Sequence, residues 1–156
     1  VKKKKEGCTV VLSDICEKAL EVARRNAKRN GVSVELMQGD LLAPFKGRRA
    51  DVVVCNPPYV AEGEWAGLDR EVRDWEPKGA LVGGETGYEF YERLAVELPP
   101  FLKPGAKVYL EIGRGMGERV KKIFDIPLWC RQELTKDWSS QDRYYVVELK
   151  SSDITI

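Results

Sequence analysis

Apolar and polar positions fall into short β-branched runs that alternate with stretches of helical period. "CTVVL" at Cys8–Leu12 reads as a buried strand. Ile15, Ala19, Ala23 and Ala27 then recur every four residues, the spacing of one helix face, and Gly31 supplies a stop after Asn30. "VELM" at Val34–Met37 predicts a second strand, and "DVVVC" at Asp51–Cys55 a third, apolar on both faces as in a parallel sheet. Tyr88, Tyr91, Leu94, Ala95 and Leu98 mark the stripe of another helix, closed by Pro99 and Pro100. "KPGAKVYLEI" places a proline–glycine turn before a strand at Lys107–Ile112. A short helix around Glu118–Phe124 and two strands, near Leu128–Leu134 and Arg143–Leu149, complete the pattern.

Alternating strands and helices predict an α/β fold: an open, mostly parallel sheet with helices on both faces. The last two strands have no helix between them, so they are expected to pair antiparallel at one edge. Repeats and linkers are not evident, and residues 1–156 read as a single domain. In such sheets ligands bind beyond the carboxyl ends of the strands. The polar residues at those ends, Asp14, Asp40, Asn56 and Glu111, are therefore the first candidates.

The stretch "CNPPYV" at Cys55–Val60 carries the most specific chemistry. Proline fixes its own φ and restricts the residue before it, so Asn56 and Pro57 are both held extended. Neither Pro57 nor Pro58 has an N–H, and the turn offers acceptors with few competing donors. The Asn56 side-chain oxygen and the Pro57 carbonyl together suit the two hydrogens of one NH₂ group, in a planar amide or an exocyclic amine. Holding that group aims the nitrogen's electron pair at an electrophile and favours the positive charge that develops on attack. Tyr59 adds a π face beside the amino group or beside a cationic methyl donor. Asp14 fits either a ribose-binding carboxylate or a helix cap, with Glu17 three residues on. Asp40 fits either an acceptor for an adenine amino group or a loop residue, and Glu111 reads as a salt-bridged strand end.

Composition narrows the field. Lys plus Arg total 26 against 25 Asp plus Glu, which gives no overall case for stable nucleic-acid or membrane binding. The lysine run at Lys2–Lys5 reads as a solvated helix end. No span is long and apolar enough for a bilayer, and no signal-peptide pattern opens the chain. Cys8, Cys16, Cys55 and Cys130 lack metal-ligand spacing and read as reduced core residues of a cytoplasmic protein, with no metal site. Histidine is absent, which excludes His triads and the commonest general base. Methyl transfer to an amide needs no such base, because the proton can leave after the methyl arrives.

With these residues placed, the chain resembles the HemK/PrmC family of protein-glutamine methyltransferases. "NPPY" is shared with adenine-amino DNA and some RNA methyltransferases, so it specifies an NH₂ methylator and no more. "EVRDWEPKGALVGGETGYEFYERL" at Glu71–Leu94 is similar to the family's E-V-R-x-x-E-P-x-x-A-L-x-G-G-x-x-G block. "LKPGAKVYLEIG" and "DRYYVVEL" extend the resemblance from about Thr9 to Leu149. It implies a Rossmann-like class I methyltransferase fold with S-adenosylmethionine as cofactor. The substrate it implies is the glutamine of the Gly-Gly-Gln loop of a peptide-chain release factor. Asp14 falls on the ribose carboxylate and Asp40 and Leu41 on the adenine-side pair. Asn56, Pro57, Pro58 and Tyr59 fall on the glutamine-binding turn, with Asn56 also beside the cofactor and Asn56 and Pro57 in the catalytic role. Cys16 stands where the family usually has serine.

The family's first strand and its D-x-G-x-G-x-G loop would precede Thr9, where this chain has "VKKKKEG". The resemblance therefore implies a catalytic domain truncated at its amino terminus, with weak cofactor binding and self-association through unpaired strand edges. The alternatives are a nucleic-acid adenine-amino methyltransferase and an inactive remnant of the fold.

Overall fold

The computed structural model describes residues 7–151, and the lysine run at Lys2–Lys5 lies outside them. The chain divides into two compact units, residues 1–48 and 49–156. The first is a β-α-β unit. Strand β1 (Val11–Asp14) runs parallel to β2 (Glu35–Gln38), with Asp14 opposite Gln38. Between them lies helix α1 (Glu17–Arg29). Gly31, at φ 64°, ends α1: its N–H donates to the Lys28 carbonyl and the Val32 N–H to Ala27. Both bonds satisfy carbonyls that a helix end leaves open, and the left-handed turn they require suits glycine.

Sequence pattern and structure differ here in two respects. The strand begins at Val11 rather than Cys8 and is only half covered, with Leu12 exposed. The helix face that meets the sheet centres on buried Leu20, with Ala23 and Ala27 half-buried. Ile15 precedes the helix in solvent and Ala19 is exposed, because a four-residue repeat drifts off a helix face of 3.6-residue period.

The second unit is built on a four-stranded sheet in which β3 (Ala50–Cys55) is one edge. Past the turn at Asn56 come strand β4 (Val60–Ala61) and a 3₁₀ helix at Glu62–Gly67. Helices α2 (Arg70–Trp75) and α3 (Lys78–Leu81) follow. Strand β5 (Val82–Gly84) then returns parallel to β4, a small sheet the hydrophobic pattern did not predict. Helix α4 (Glu89–Glu97) leads to β6 (Leu102–Glu111), which pairs parallel with β3. Helix α5 (Gly117–Ile123) precedes β7 (Trp129–Lys136) and β8 (Asp142–Leu149). The order is β3-β6-β8-β7, with β8 antiparallel to both neighbours, so the expected antiparallel hairpin closes one edge. Strand β6 starts earlier than predicted, and its pairing with β3 jumps from Leu102 to Lys107 around Gly105, at φ 74°.

Helices α4 and α5 supply the core of this unit. Tyr91, Leu94, Ala95, Leu98, Val120 and Phe124 are buried, as are Val108, Leu110, Tyr145 and Val147 of the sheet. Phe124 meets Trp129 and Tyr145 with ring centroids 5.6 Å away in each case, and Trp129 Nε1 donates to the Ala95 carbonyl at 3.3 Å. The opposite face is bare among the described residues. Val52 is 56% and Val54 74% exposed, aligned with Lys107 and the exposed Tyr109. The expectation of a strand buried on both faces is corrected accordingly. A run of valines reports β-propensity, not the presence of a covering layer. The cysteines form no disulfide among the described residues, and Cys16 and Cys130 are exposed, which corrects their reading as core residues.

Phe124→Ala removes the ring that joins Trp129 to Tyr145 and is expected to cost about 3–5 kcal/mol. Urea unfolding checks this, as a lowered midpoint with an unchanged slope.

Candidate active site

In the first unit, the parallel pairing brings Asp14 and the turn after β2 to the same strand ends. The Gly39 N–H donates to the Asp14 carbonyl at 3.1 Å. The Asp14 side chain is exposed, and its Oδ1 accepts the Cys16 N–H at 2.7 Å. The helix-cap reading is corrected: Cys16 holds the cap position of α1 without a side-chain cap bond, and Asp14 instead closes a turn onto the Cys16 N–H while its carboxylate faces solvent. Beyond β2 the chain turns sharply. Asp40 accepts the Ala43 N–H on its carbonyl, and Leu41 adopts φ 44°, a left-handed conformation that disfavours a branched side chain. A Cβ on Gly39 would lie 2.5 Å from the Pro44 ring, so this turn closes tightly on itself. Such backbone strain persists only where surrounding structure over-determines it, and it concentrates at ligand sites.

In the second unit, Asn56 follows directly on β3, at the carboxyl end of the β3–β6 pair. Its side chain is exposed, and no described residue hydrogen-bonds its amide. Pro57 is buried and Pro58 and Tyr59 are half-buried, so the turn is anchored while its amide is presented. Burial pushes the neighbouring Cys55 thiol up to about 11, which keeps it protonated and unreactive at neutral pH.

Three glycines brace this turn, and the reading of the sequence missed all three. A Cβ on Gly83 would sit 2.3 Å from the Pro58 carbonyl oxygen, and one on Gly87 2.3 Å from that of Tyr59. A Cβ on Gly113 would sit 3.0 Å from the Tyr59 ring. Gly83 and Gly87 of the "GGETG" segment are thus places where backbone lies on backbone. The segment is locked at its far end by Thr86 and Glu89. Glu89 Oε1 accepts the Thr86 N–H at 2.7 Å and its hydroxyl at 3.1 Å, while the Tyr88 N–H donates to Thr86 Oγ1 at 3.3 Å. The signal was available, since T-x-x-E before an apolar run is the capping-box pattern. Glu89 Oε2 is buried without a partner among the described residues, against Gly84. Burial pushes the Glu89 carboxyl up, yet the N–H groups of Thr86, Glu89 and Gly87 and the Thr86 hydroxyl outweigh it and hold it below its ordinary value.

Around Tyr59 a polar cluster closes the site end of the sheet. Tyr91, buried in the core, donates its hydroxyl to the Glu111 carbonyl at 2.8 Å. Burial and then the proximity of Tyr59 push the Tyr91 phenol up. Arg143 lies 3.8 Å from Glu111 Oε1, as expected of a salt-bridged strand end, and donates to Asp137 Oδ2 at 3.1 and 3.2 Å. Asp137 is held below its ordinary value first by the Gln141 N–H, with burial opposing and the Ser139 N–H and Arg143 adding to it. Asp14, Asp40 and Leu41 belong to one unit, and Asn56–Tyr59 to the other. Among the described residues no helix is long and apolar enough to cross a membrane, and no group of three His, Cys, Asp or Glu is placed to hold a metal ion.

Comparison with known proteins bears on this arrangement. Residues 1–69 match the family described as Methyltransferase small domain. The chain is 44% identical over 140 residues to a Bacillus cereus protein named release factor glutamine methyltransferase, covering 88% of this chain and 50% of that one. It thus spans about half the length of the curated relatives it matches. A methyltransferase from Pyrococcus furiosus shares the fold with a TM-score of 0.67 at 21% identity, over 95% of this chain and 66% of that one. A release-factor-specific protein-(glutamine-N5) methyltransferase from Alicyclobacillus acidocaldarius superposes with a TM-score of 0.52 at 23% identity, over 92% and 81%. The resemblance expected from Glu71–Leu94 is borne out, and so is the class I methyltransferase fold.

Gly87→Ala adds left-handed strain at φ 80° to a clash with the Tyr59 carbonyl. It is expected to destabilise by about 2–4 kcal/mol, and a denaturant shift equivalent to less than about 0.5 kcal/mol would refute the bracing role. The Glu89 contribution runs with pH in a definite sense. Its folded pKa lies below the ordinary 4.5, so its stabilisation is complete above that value and is lost as pH falls through the lowered one. Glu89→Gln, which keeps the cap, is expected to flatten that acid limb of stability against pH.

Proposed function

We propose that the chain forms the amide-gripping part of an S-adenosylmethionine-dependent methyltransferase acting on the side-chain amide of a release-factor glutamine. One observation carries this reading: Asn56 presents an exposed amide, without a partner among the described residues, on a turn braced by Gly83, Gly87 and Gly113. A merely structural asparagine at a tight turn would spend its side chain on nearby backbone.

The chemistry follows from what the turn offers. The Asn56 side-chain oxygen and the Pro57 carbonyl accept the two hydrogens of the glutamine NH₂, which fixes its plane and directs its electron pair outward. The cofactor, when bound, supplies an electrophilic methyl group on a sulfonium. The grip would keep the amide nitrogen's electron pair clear for that methyl group, and the proton displaced by methylation would pass from the nitrogen to water. The two carbonyl dipoles stabilise the charge that builds on the nitrogen.

For the cofactor, Asp14 would hold ribose hydroxyls through the carboxylate that faces solvent. The strained Asp40–Leu41 turn would receive the adenine, with Asp40 on its amino group and Leu41 on its ring. The exposed carboxylate and the left-handed Leu41 fit that role. The nucleic-acid alternative is disfavoured by charge beside the turn. Between Glu62 and Glu76 there are six carboxylates against Arg70 and Arg73, the wrong sign for a phosphate backbone.

Asn56→Ala is expected to lower methyl transfer about a hundred- to a thousandfold, roughly 3–4 kcal/mol, with much less change in cofactor affinity. Asn56→Asp is expected to fare little better, because a carboxylate alters the charge beside the sulfonium. Transfer of labelled methyl to a release factor, against DNA and RNA, tests both the role and the substrate. Near-normal turnover by either variant would overturn it.

A further inference from the structure

Tryptophan is costly to leave in water, yet the indole of Trp138 is wholly exposed. It stands on the loop between β7 and β8, and that loop is held unusually firmly for a hairpin tip. The Asp137 N–H donates to the Gln141 carbonyl at 2.8 Å and the Ser140 N–H to the Asp137 carbonyl at 2.9 Å. Asp137 Oδ1 accepts the N–H groups of Ser139 and Gln141 at 2.8 and 3.1 Å, and Gln141 Nε2 donates to the Ser139 carbonyl at 3.2 Å. Ser140 is held at φ 60°, a left-handed conformation rare outside glycine. A loop tied this way fixes the backbone from which the exposed ring projects.

Its place is defined by strand register. Cys55, the last residue of β3, lies beside Leu110 of the parallel β6, and Glu111 pairs with Tyr144 near the start of β8. The β7–β8 loop therefore lies at the same end of the sheet as the Asn56 turn. Physical links join the two. Arg143 ties Asp137 of the loop to Glu111 of β6, and its carbonyl accepts the Ile112 N–H at 2.9 Å. Gly113, next in sequence, lies under the Tyr59 ring.

Resting on the reading of the turn as an amide grip, we propose that Trp138 is a docking anchor for the polypeptide that carries the acceptor glutamine. Three features point to a protein rather than another occupant. On that reading the acceptor amide reaches the turn on a protein, and the β7–β8 loop stands at the same end of the sheet. An amphipathic indole at the rim is the kind of group that dominates protein interfaces, and the loop's existing hydrogen bonds spare the cost of ordering its backbone on binding. Lys136 and Asp137, which precede the ring, carry opposite charges and Arg143 is engaged by Asp137, so the loop presents no run of cations to a nucleic-acid strand.

The test uses the enzyme in its full chain, with a release factor and with a short peptide bearing the same glutamine loop. Trp138→Ala is expected to weaken binding of the release factor, and to raise its KM, about ten- to a hundredfold, with kcat and the peptide's KM within twofold of wild type. Trp138→Phe is expected to restore most of the loss. Unchanged affinity for the release factor in Trp138→Ala overturns the proposal, as does an equal loss on protein and peptide, which would mark a structural role. A change of oligomeric state in Trp138→Ala would assign the ring to a second copy of the chain and overturn it too. Should the wild type bind the release factor without methylating it, the functional reading fails. The anchor then stands or falls on the affinity ratio alone. Absence of any binding by the wild type refutes both.

Discussion

Backbone lying directly on backbone at Gly83 and Gly87 is the constraint on which the rest of the second unit depends. Pro58 and Tyr59 present their carbonyls to the point where any side chain on those two glycines would stand. Proline alone restricts the Asn56 turn locally, but a restricted turn can still swing as a body. Contact at both glycines removes that freedom. It also dictates the surrounding topology, since the chain must leave the turn through β4 and return beside it as β5. Everything between, from Glu62 to Leu81, is the excursion this return requires. The Thr86–Glu89 cap then holds the glycine segment to the start of α4, whose Tyr91, Leu94 and Ala95 are sunk in the core. Rigidity at the turn is thus drawn from the best-packed helix of the unit.

Legibility from sequence followed the range over which the physics acts. The Asn56–Tyr59 turn was readable because two prolines act within their own residues. The α4 stripe and the antiparallel hairpin were readable because periodicity and the absence of an intervening helix are local facts. The roles of Gly83, Gly87 and Gly113 were not. A glycine records only that something lies close, and its neighbour here is far along the chain. The exposed face of β3 failed for a similar reason, since Val52 and Val54 would read identically beneath a helix. Ile15 and Ala19 were misplaced by treating four residues as a helical turn. The Asp137–Arg143 tie could not be seen, since a charge run in a polar loop ordinarily marks a solvated surface.

Glu89 shows how the unit tolerates an awkward group. One carboxylate oxygen is fully engaged by Thr86, while the other is buried beside Gly84 without a partner among the described residues. An unmatched acceptor normally destabilises a fold. Here several N–H groups hold the carboxylate ionised despite its burial, so the cost at Oε2 is offset through the rest of the same group. A side chain on Gly84 would displace it, which accounts for paired glycines where one would have sufficed to meet Pro58.

The same accounting explains why the proposed acceptor is an amide rather than an amine. A lysine ammonium must lose a proton before its nitrogen can attack, and a site built for it needs an available base. Three ionisable groups at this end of the sheet are already committed. Glu111 faces Arg143, Asp137 is engaged by Arg143 and by its own loop, and burial keeps the Cys55 thiol protonated. What remains at the turn is a pair of neutral carbonyl acceptors. Neutral acceptors match a neutral, planar NH₂ whose proton becomes acidic only after methylation, when water can take it. The chain has no histidine, and the neutral acceptor pair at the turn agrees with amide chemistry better than with an amine.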